Sequence, residues 1–274
     1  MINRLRATAQ HLTTMASPTT TTKATAAPWR ADFTAHVAKM PQASFVLSTL
    51  DAEDGGPRAR TCIFRGMWGT MPPNDRNPAE RNPEGVYESD MPVFTTDARM
   101  QKTGQLEADR RAEAVWWVEE TQTQWRMRGV VWQLGRRVGD EARAALERRM
   151  RQLTGGRQQQ EDWSWEREVT GHFGNLSPMM RGTFKNPPPG TPRAVEPGKD
   201  TGLGMGQKVE DLEDDIARRN FLVCVIVPDE VDRVILTKDD PQRFVYRYIG
   251  DGQKNQEGGC GKVDGDWETV ELWP

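Results

Sequence analysis

The stretch Phe94-Thr95-Thr96-Asp97-Ala98-Arg99-Met100-Gln101-Lys102 decides how this chain is read. Val93 and Phe94 end a short apolar strand, two hydroxyls and an acid follow, and a helical stretch begins at once. A strand running straight into a helix presents free backbone N–H groups and the positive end of the helix dipole at the junction, where an anion is held. Arg99 and Lys102 stand at the same junction and can add charge-assisted hydrogen bonds. Taken alone, the same residues also describe a capped helix start with solvated cations. The surrounding chain decides between the two.

Upstream, Trp29 to Met40 has the spacing of an amphipathic helix, with Phe33, Val37 and Met40 near one face. Ser44 to Leu50 is an expected strand, and Arg58 to Arg65 pairs back on it after a Gly-Gly turn. The Pro/Asn/Arg/Glu-rich segment from Trp68 to Met91 has the composition of a long surface loop. Downstream of a helix over Arg99 to Arg110, Glu113 to Val118 and Trp125 to Leu134 form a strand pair. Asp140 to Gln152 reads as a charged helix, Gly155 to Thr170 as a polar, flexible excursion, and Pro187 to Gln207 as a loop. Ser177 is placed to cap a short helix running to Phe184. Phe221 to Val227 is continuously apolar, hence a central strand, and Val231 to Thr237, Arg243 to Ile249 and Trp267 to Trp273 complete an antiparallel set. Many strands with short turns favour a closed or partly closed barrel.

Composition narrows the function classes. The chain has 274 residues, 36% hydrophobic and 28% charged, with a net charge of −3. Both charge signs are mixed along it, which gives no basic stripe for nucleic acid. No apolar run is long enough to span a bilayer. Cys62, Cys224 and Cys260 are far apart; the first two fall in apolar strand patterns and read as buried thiols, and no Cys/His spacing suggests a metal site. Trp116, Trp117, Trp125 and Trp132 fall in strands and read as core. Residues 1–28 form an acid-free tail rich in Thr and Ala, expected to be disordered, with residues 29–274 as one domain carrying polar insertions near 68–91, 155–172 and 187–215. The basic character of the tail leaves a mitochondrial destination as the alternative to a cytoplasmic one. Gly202-Leu203-Gly204-Met205-Gly206 is Gly-rich, yet no strand precedes it and no βαβ unit follows, which excludes a dinucleotide fold.

An ordered set of motifs surrounds the opening stretch: Pro57-Arg58-Ala59-Arg60-Thr61-Cys62-Ile63-Phe64-Arg65-Gly66 before it, then Ala114-Val115-Trp116-Trp117-Val118, Thr123-Gln124-Trp125-Arg126-Met127-Arg128-Gly129, Leu176-Ser177-Pro178 with Arg181 and Phe184, Pro187 to Gly190, Asn220-Phe221, and Pro228 with Val231-Asp232. From about Trp29 to Pro274 this set resembles the pyridoxamine 5'-phosphate oxidase-like family, in the branch described as FMN-binding domain proteins. The resemblance implies a mostly β fold with flanking helices, an FMN-binding split β-barrel, acting as a homodimer with no metal. It implies that Arg60 meets the FMN phosphate or ribityl side, that Thr61, Cys62 and Ile63 run along the ring, that Thr95 and Thr96 lie near it and that Lys102 holds the phosphate. Gln124 matches a glutamine contributed by the partner subunit, and Arg243 matches a flavin-contacting arginine. The family has Ser-Arg before the Lys; Met100-Gln101 stands there, so Arg99 is the expected substitute. On the substrate side, Arg65 falls at a lysine position and Ser177-Pro178 at an Arg-Pro position, leaving Arg181, His172 and Lys185 as candidates for the lost anion contact. His172 reads as a surface residue, and no catalytic acid or base is assigned. The implied activity is that of a flavin-dependent oxidoreductase resembling pyridoxamine 5'-phosphate oxidase. The alternative is a flavin-binding split barrel without oxidase activity toward B6 vitamers. Haem binding, with His172 as axial ligand, is the remote third possibility.

Overall fold

A computed structural model describes residues 25–153, 160–250 and 261–274. The expected disordered tail up to residue 24, the start of the Gly155 excursion and Cys260 lie outside the described residues.

Helix α1 (Arg30–Val37) leads into the hairpin β1 (Ser44–Leu50) and β2 (Pro57–Met67). β3 (Tyr87–Ser89), β4 (Pro92–Asp97) and α2 (Gln101–Ala108) follow, then β5 (Arg111–Val118) and β6 (Thr123–Leu134). The middle of the chain holds α3 (Asp140–Glu147), β7 (Met150–Gln152), α4 (Trp165–Gly174), α5 (Pro178–Gly182) and α6 (Asp215–Asn220). The chain closes with β8 (Phe221–Ile235), β9 (Gln242–Tyr248), β10 (Lys262–Asp264) and β11 (Trp267–Leu272).

Strands β8-β4-β2-β1-β5-β6 form an antiparallel ring of six, closed by pairing of β6 with β8, and β9-β11-β10 extend it. β8 joins the two parts. Its first residues pair with β4 from Phe221 to Val225, its last pair with β9 from Glu230 to Ile235, and its other edge pairs with β6 throughout. This is the mostly β split barrel with flanking helices that the sequence implied.

The continuous apolar run of β8 has a physical reason. Cys224 and Ile226 enter the core inside the ring, with Phe45, Leu47, Trp116 and Trp125. Val223, Val225 and Val227 enter a second core outside it, under α3, α4 and α6, with Trp68, Leu146, Phe173 and Ala217. Both faces are buried, so alternation disappears. Pro228 made Val231 onward read as a separate strand, but β8 is continuous. The register with β6 shifts beside Gly129, where Gly129 faces Pro228 and Arg128 faces Glu230. Asp229 is the extra residue of this bulge, and it flips the inward phase from Ile226 to Val231. A Cβ at Gly129 would stand 2.0 Å from the Val227 carbonyl oxygen, so only glycine permits this approach.

Two polar segments are more ordered than composition suggested. Residues 68–91 are not simply a surface loop. Trp68, Val86 and Met91 are buried, and β3 pairs with β7. Asn77 Nδ2 donates to the Gly171 carbonyl at 2.9 Å, and Asn82 Nδ2 donates to Glu168 Oε2 at 2.9 Å, so side-chain amides fasten this segment to α4. The flexible excursion expected through Thr170 instead enters α4, whose Trp165, Val169 and Phe173 are buried. The helix expected to reach Gln152 ends at Glu147, because Met150–Gln152 is taken up as β7. Contacts with the barrel already include Ala27, whose N–H donates to Asp90 Oδ2 at 2.9 Å. Asp90 also accepts from Arg151 Nη2 at 2.8 Å, and Arg30 lies beside it.

Candidate functional site

β2 and β4 pair only near Phe64–Phe94 and Met67–Pro92. Beyond Phe64 the strands part. β4 turns to β8, while residues 57–63 of β2 keep β1 on one edge and no strand on the other. The fork opens on a cavity of about 950 Å³, near the top of the range of about 300–1,000 Å³ for small-molecule sites. Four consecutive residues, Arg60, Thr61, Cys62 and Ile63, line it, as expected where a strand presents its main chain edge-on. Arg65, Thr95, Thr96, Asp97, Met100 and Lys102 complete the barrel side. The opposite wall comes from Leu176, Met180 and Phe184 and from a strap running from Asn186 to Pro197.

On the barrel side, three cations face this space without a carboxylate within ion-pairing distance among the described residues. Lys102, at the start of α2, is buried, and its Nζ donates to Thr96 Oγ1 at 2.9 Å and lies 2.8 Å from Met100 Sδ. Burial pushes its pKa down. The Met100 side chain does not cap the helix. Arg60 is half-buried; Nη1 donates to Thr49 Oγ1 at 2.6 Å and Nη2 to Gln105 Oε1 at 2.7 Å. Arg65 makes no hydrogen bond or ion pair with any described residue, and its Nε is fully buried. Leaving a buried charged donor unsatisfied costs more than about 1–3 kcal/mol. Gly66 helps set the strand's course here: its φ of +96° suits glycine, and a Cβ would come within 2.5 Å of Pro72.

Arg65 has a consequence behind it. His172 lies at the back of the site, 2% exposed and stacked on Trp68 with ring centroids 6.1 Å apart. Burial, helped by the Arg65 charge, pushes its pKa down to about 3. It is therefore a neutral core residue, not the surface residue its polar neighbourhood suggested. Glu168, 3.9 Å from His172 Nε2, is also buried, and burial pushes its carboxyl up. Cys62 and Cys224 are free, buried thiols whose pKa values burial raises, with Lys102 opposing.

The other expected site residues are elsewhere. Arg99 is turned away and clamps Asp97 at 2.6 Å, while donating to the carbonyls of Phe184 and Asn186 at 3.1 and 3.0 Å. It anchors the root of the strap rather than replacing a phosphate ligand. Ser177 accepts from the Met180 N–H as the cap of α5. Arg181 is 2% exposed and donates to the carbonyls of Val209, Gly174 and Leu176. Lys185 pairs with Asp214 at 2.8 Å. None of these four reaches the cavity as an anion ligand, because each is consumed by local structure. Gln124 and Arg243 lie together on the outer sheet face, each opposite Val234 of β8, and neither lines the cavity. Arg243 is held by Asp232 at 2.8 Å, which Arg126 also contacts. The strap's role in walling the site was not foreseen; its proline run was the available signal.

Among the described residues no cluster of side chains could hold a metal, and no helix is long and apolar enough to cross a membrane. No curated protein matches the chain. A pyridoxamine 5'-phosphate oxidase-related, FMN-binding protein from Nostoc punctiforme superposes with a TM-score of 0.59 at 20% identity, over 91% of this chain and 100% of that one. PhzG from Burkholderia lata 383 gives a TM-score of 0.46 at 16% identity, over 89% of each chain. The first of these shares the fold. Residues 26–135, which hold the forked strands and Lys102, match the family described as Pyridoxamine 5'-phosphate oxidase, FMN-binding domain.

Proposed function

We propose that this protein binds FMN in the fork between β2 and β4 and works as a flavin-dependent oxidoreductase. The observation that carries the reading is the set of unpaired cations on a cavity walled by a strand edge. Lys102, Arg60 and the start of α2 would hold the phosphate. The free edge of residues 60–63 and the hydroxyls of Thr95 and Thr96 supply donors and acceptors for the ribityl chain and ring edge. Bound FMN supplies two-electron redox chemistry at its ring. Leu176, Met180 and Phe184 exclude water from one face, and Arg65 faces whatever lies beside the ring.

A homodimer belongs to the same proposal. Gln124 and Arg243 sit side by side on an outer face, away from their own cavity, so they can complete a flavin site only in a second copy. An isologous pair gives two equivalent sites. Sedimentation at the 31.0 kDa monomer mass would remove the dimer from the reading.

The test is the absorption spectrum of the purified protein, followed by titration of flavin-free protein with FMN. Saturable quenching of flavin fluorescence at or below tens of micromolar, roughly −6 kcal/mol, is expected; its absence refutes the proposal. Peroxide release with candidate substrates then separates an oxidase from a flavin-binding barrel without turnover. The second reading draws support from Ser177 and Arg181, both withdrawn into helix structure.

A further inference from the structure

Five residue steps separate Arg60 from Arg65 on β2, roughly 16 Å at about 3.3 Å per residue. FMN carries one phosphate, and Lys102 and Arg60 stand at one end of the cavity to receive it. Arg65, farther along β2, has no hydrogen-bond or ion-pair partner among the described residues. Resting on the flavin reading, we infer that the space beside the ring takes a flat, apolar monocarboxylate, bound through Arg65, and discriminates against phosphate esters.

The inference comes from counting charge. A phosphate dianion is stabilised by several cations and donors together, whereas a carboxylate matches a single guanidinium fork and leaves no charge over. Every neighbouring group that could add a second charge is already used. Arg181 is spent on three carbonyls, Lys185 on Asp214, Arg99 on Asp97, and the Ser177 hydroxyl on its helix cap. His172, behind Arg65, is neutral and sealed in the core. On the strap, Arg193 and Glu196 line the cavity with opposite signs and are both exposed, so they add no net charge. A dianion beside Arg65 would keep one uncompensated charge in a partly desolvated space, which is costly. Much of the remaining lining is apolar, Leu176, Met180, Phe184 and the strap prolines, with Thr183, Asn186 and Thr191 as its neutral polar members. Such a wall opposite a flat ring suits an apolar body of similar thickness.

The experiment compares three probes with one body: 2-naphthoate, 2-naphthyl phosphate and the neutral 2-naphthamide. Each is titrated into the FMN-loaded full-length protein, with binding read from perturbation of the flavin spectrum and from equilibrium dialysis. Naphthoate is expected to bind at least tenfold more tightly than either of the others. Arg65→Gln is expected to abolish its advantage over the amide while FMN is still retained through gel filtration, and Arg65→Lys to keep part of that advantage. Equal or tighter binding of naphthyl phosphate overturns the inference, as does a carboxylate no better than the amide. Loss of FMN itself from Arg65→Gln protein of unchanged far-UV circular dichroism also overturns it, since Arg65 would then serve the cofactor. If the wild-type protein takes up no FMN, the flavin reading fails and this one falls with it. Failure of carboxylate preference in flavin-loaded protein refutes this inference alone.

Discussion

Lys102 Nζ, on the second residue of α2, lies 2.9 Å from Thr96 Oγ1 near the end of β4, and no described carboxylate forms an ion pair with it. A buried ammonium in that setting is held by the fold at a cost and waits for an anion. Lys102→Met is therefore expected to weaken FMN binding by about tenfold to a hundredfold, the equivalent of one charged hydrogen bond of roughly 1.5–3 kcal/mol. Lys185→Ala, which removes a residue paired with Asp214, should change FMN affinity less than twofold. Fluorescence titration of both variants checks this. Equal effects would mean that the phosphate lies elsewhere.

Arg181 should behave as a structural residue. Its guanidinium satisfies the backbone carbonyls of Gly174, Leu176 and Val209, and truncation orphans them. Arg181→Met is expected to lower stability by about 2–4 kcal/mol, at roughly 1 kcal/mol or more per carbonyl. FMN affinity of the folded protein should be retained. Urea unfolding beside FMN titration separates the two effects.

Acid stability should report His172. Its folded pKa of about 3 lies below the ordinary histidine value of 6.5, so between those values the unfolded chain binds a proton that the folded chain refuses. Stability is then lost as pH falls through this window, at up to about 1.4 kcal/mol per pH unit. Glu168 acts in the opposite sense: its folded pKa is raised above 4.5, so it takes a proton earlier when folded and offsets His172 above that pH. His172→Gln should flatten the loss most clearly below pH 4.5, and Glu168→Gln should steepen the loss above it. Chemical denaturation across pH measures both slopes.

Two glycines predict opposite outcomes. Gly129→Ala forces a Cβ to 2.0 Å from the Val227 carbonyl oxygen, so destabilisation at or above the top of the usual overpacking range of about 1–3 kcal/mol is expected. Gly104 sits exposed inside α2 with nothing within 4 Å of a built Cβ. Gly104→Ala should stabilise the protein by about 0.5–1 kcal/mol. Thermal melts of the pair decide this.

Much of the barrel was legible because its strands are written in strong local patterns. β1 was read to the residue at Ser44 to Leu50, and the apolar β8 run was correctly placed at the centre. The break at Pro228 was misread because a bulge lets one strand survive a missing N–H, and only the partner strand reveals the bulge. The cavity lining was legible where it uses consecutive residues of one strand, Arg60 to Ile63, and the junction before Lys102. It was illegible for Arg99, Ser177 and Arg181. A cation or hydroxyl near a pocket in sequence can be consumed by carbonyls or caps that only the fold supplies. Residues 68–91 misled for a related reason: asparagines that look like loop residues also serve as anchors.

β8 lies late in the chain, yet it supplies the partner for both β4 and β6. A growing chain leaving the ribosome can fold the β1–β2 hairpin early, but the ring cannot close until Ile235 has emerged. Before that, β4 and β6 present bare edges that can recruit strands from neighbouring nascent chains. The fork itself has no second arm, since β4 is steered away from β2 only by its pairing with β8. Any ligand held in the fork can therefore enter only after the ring has closed around it.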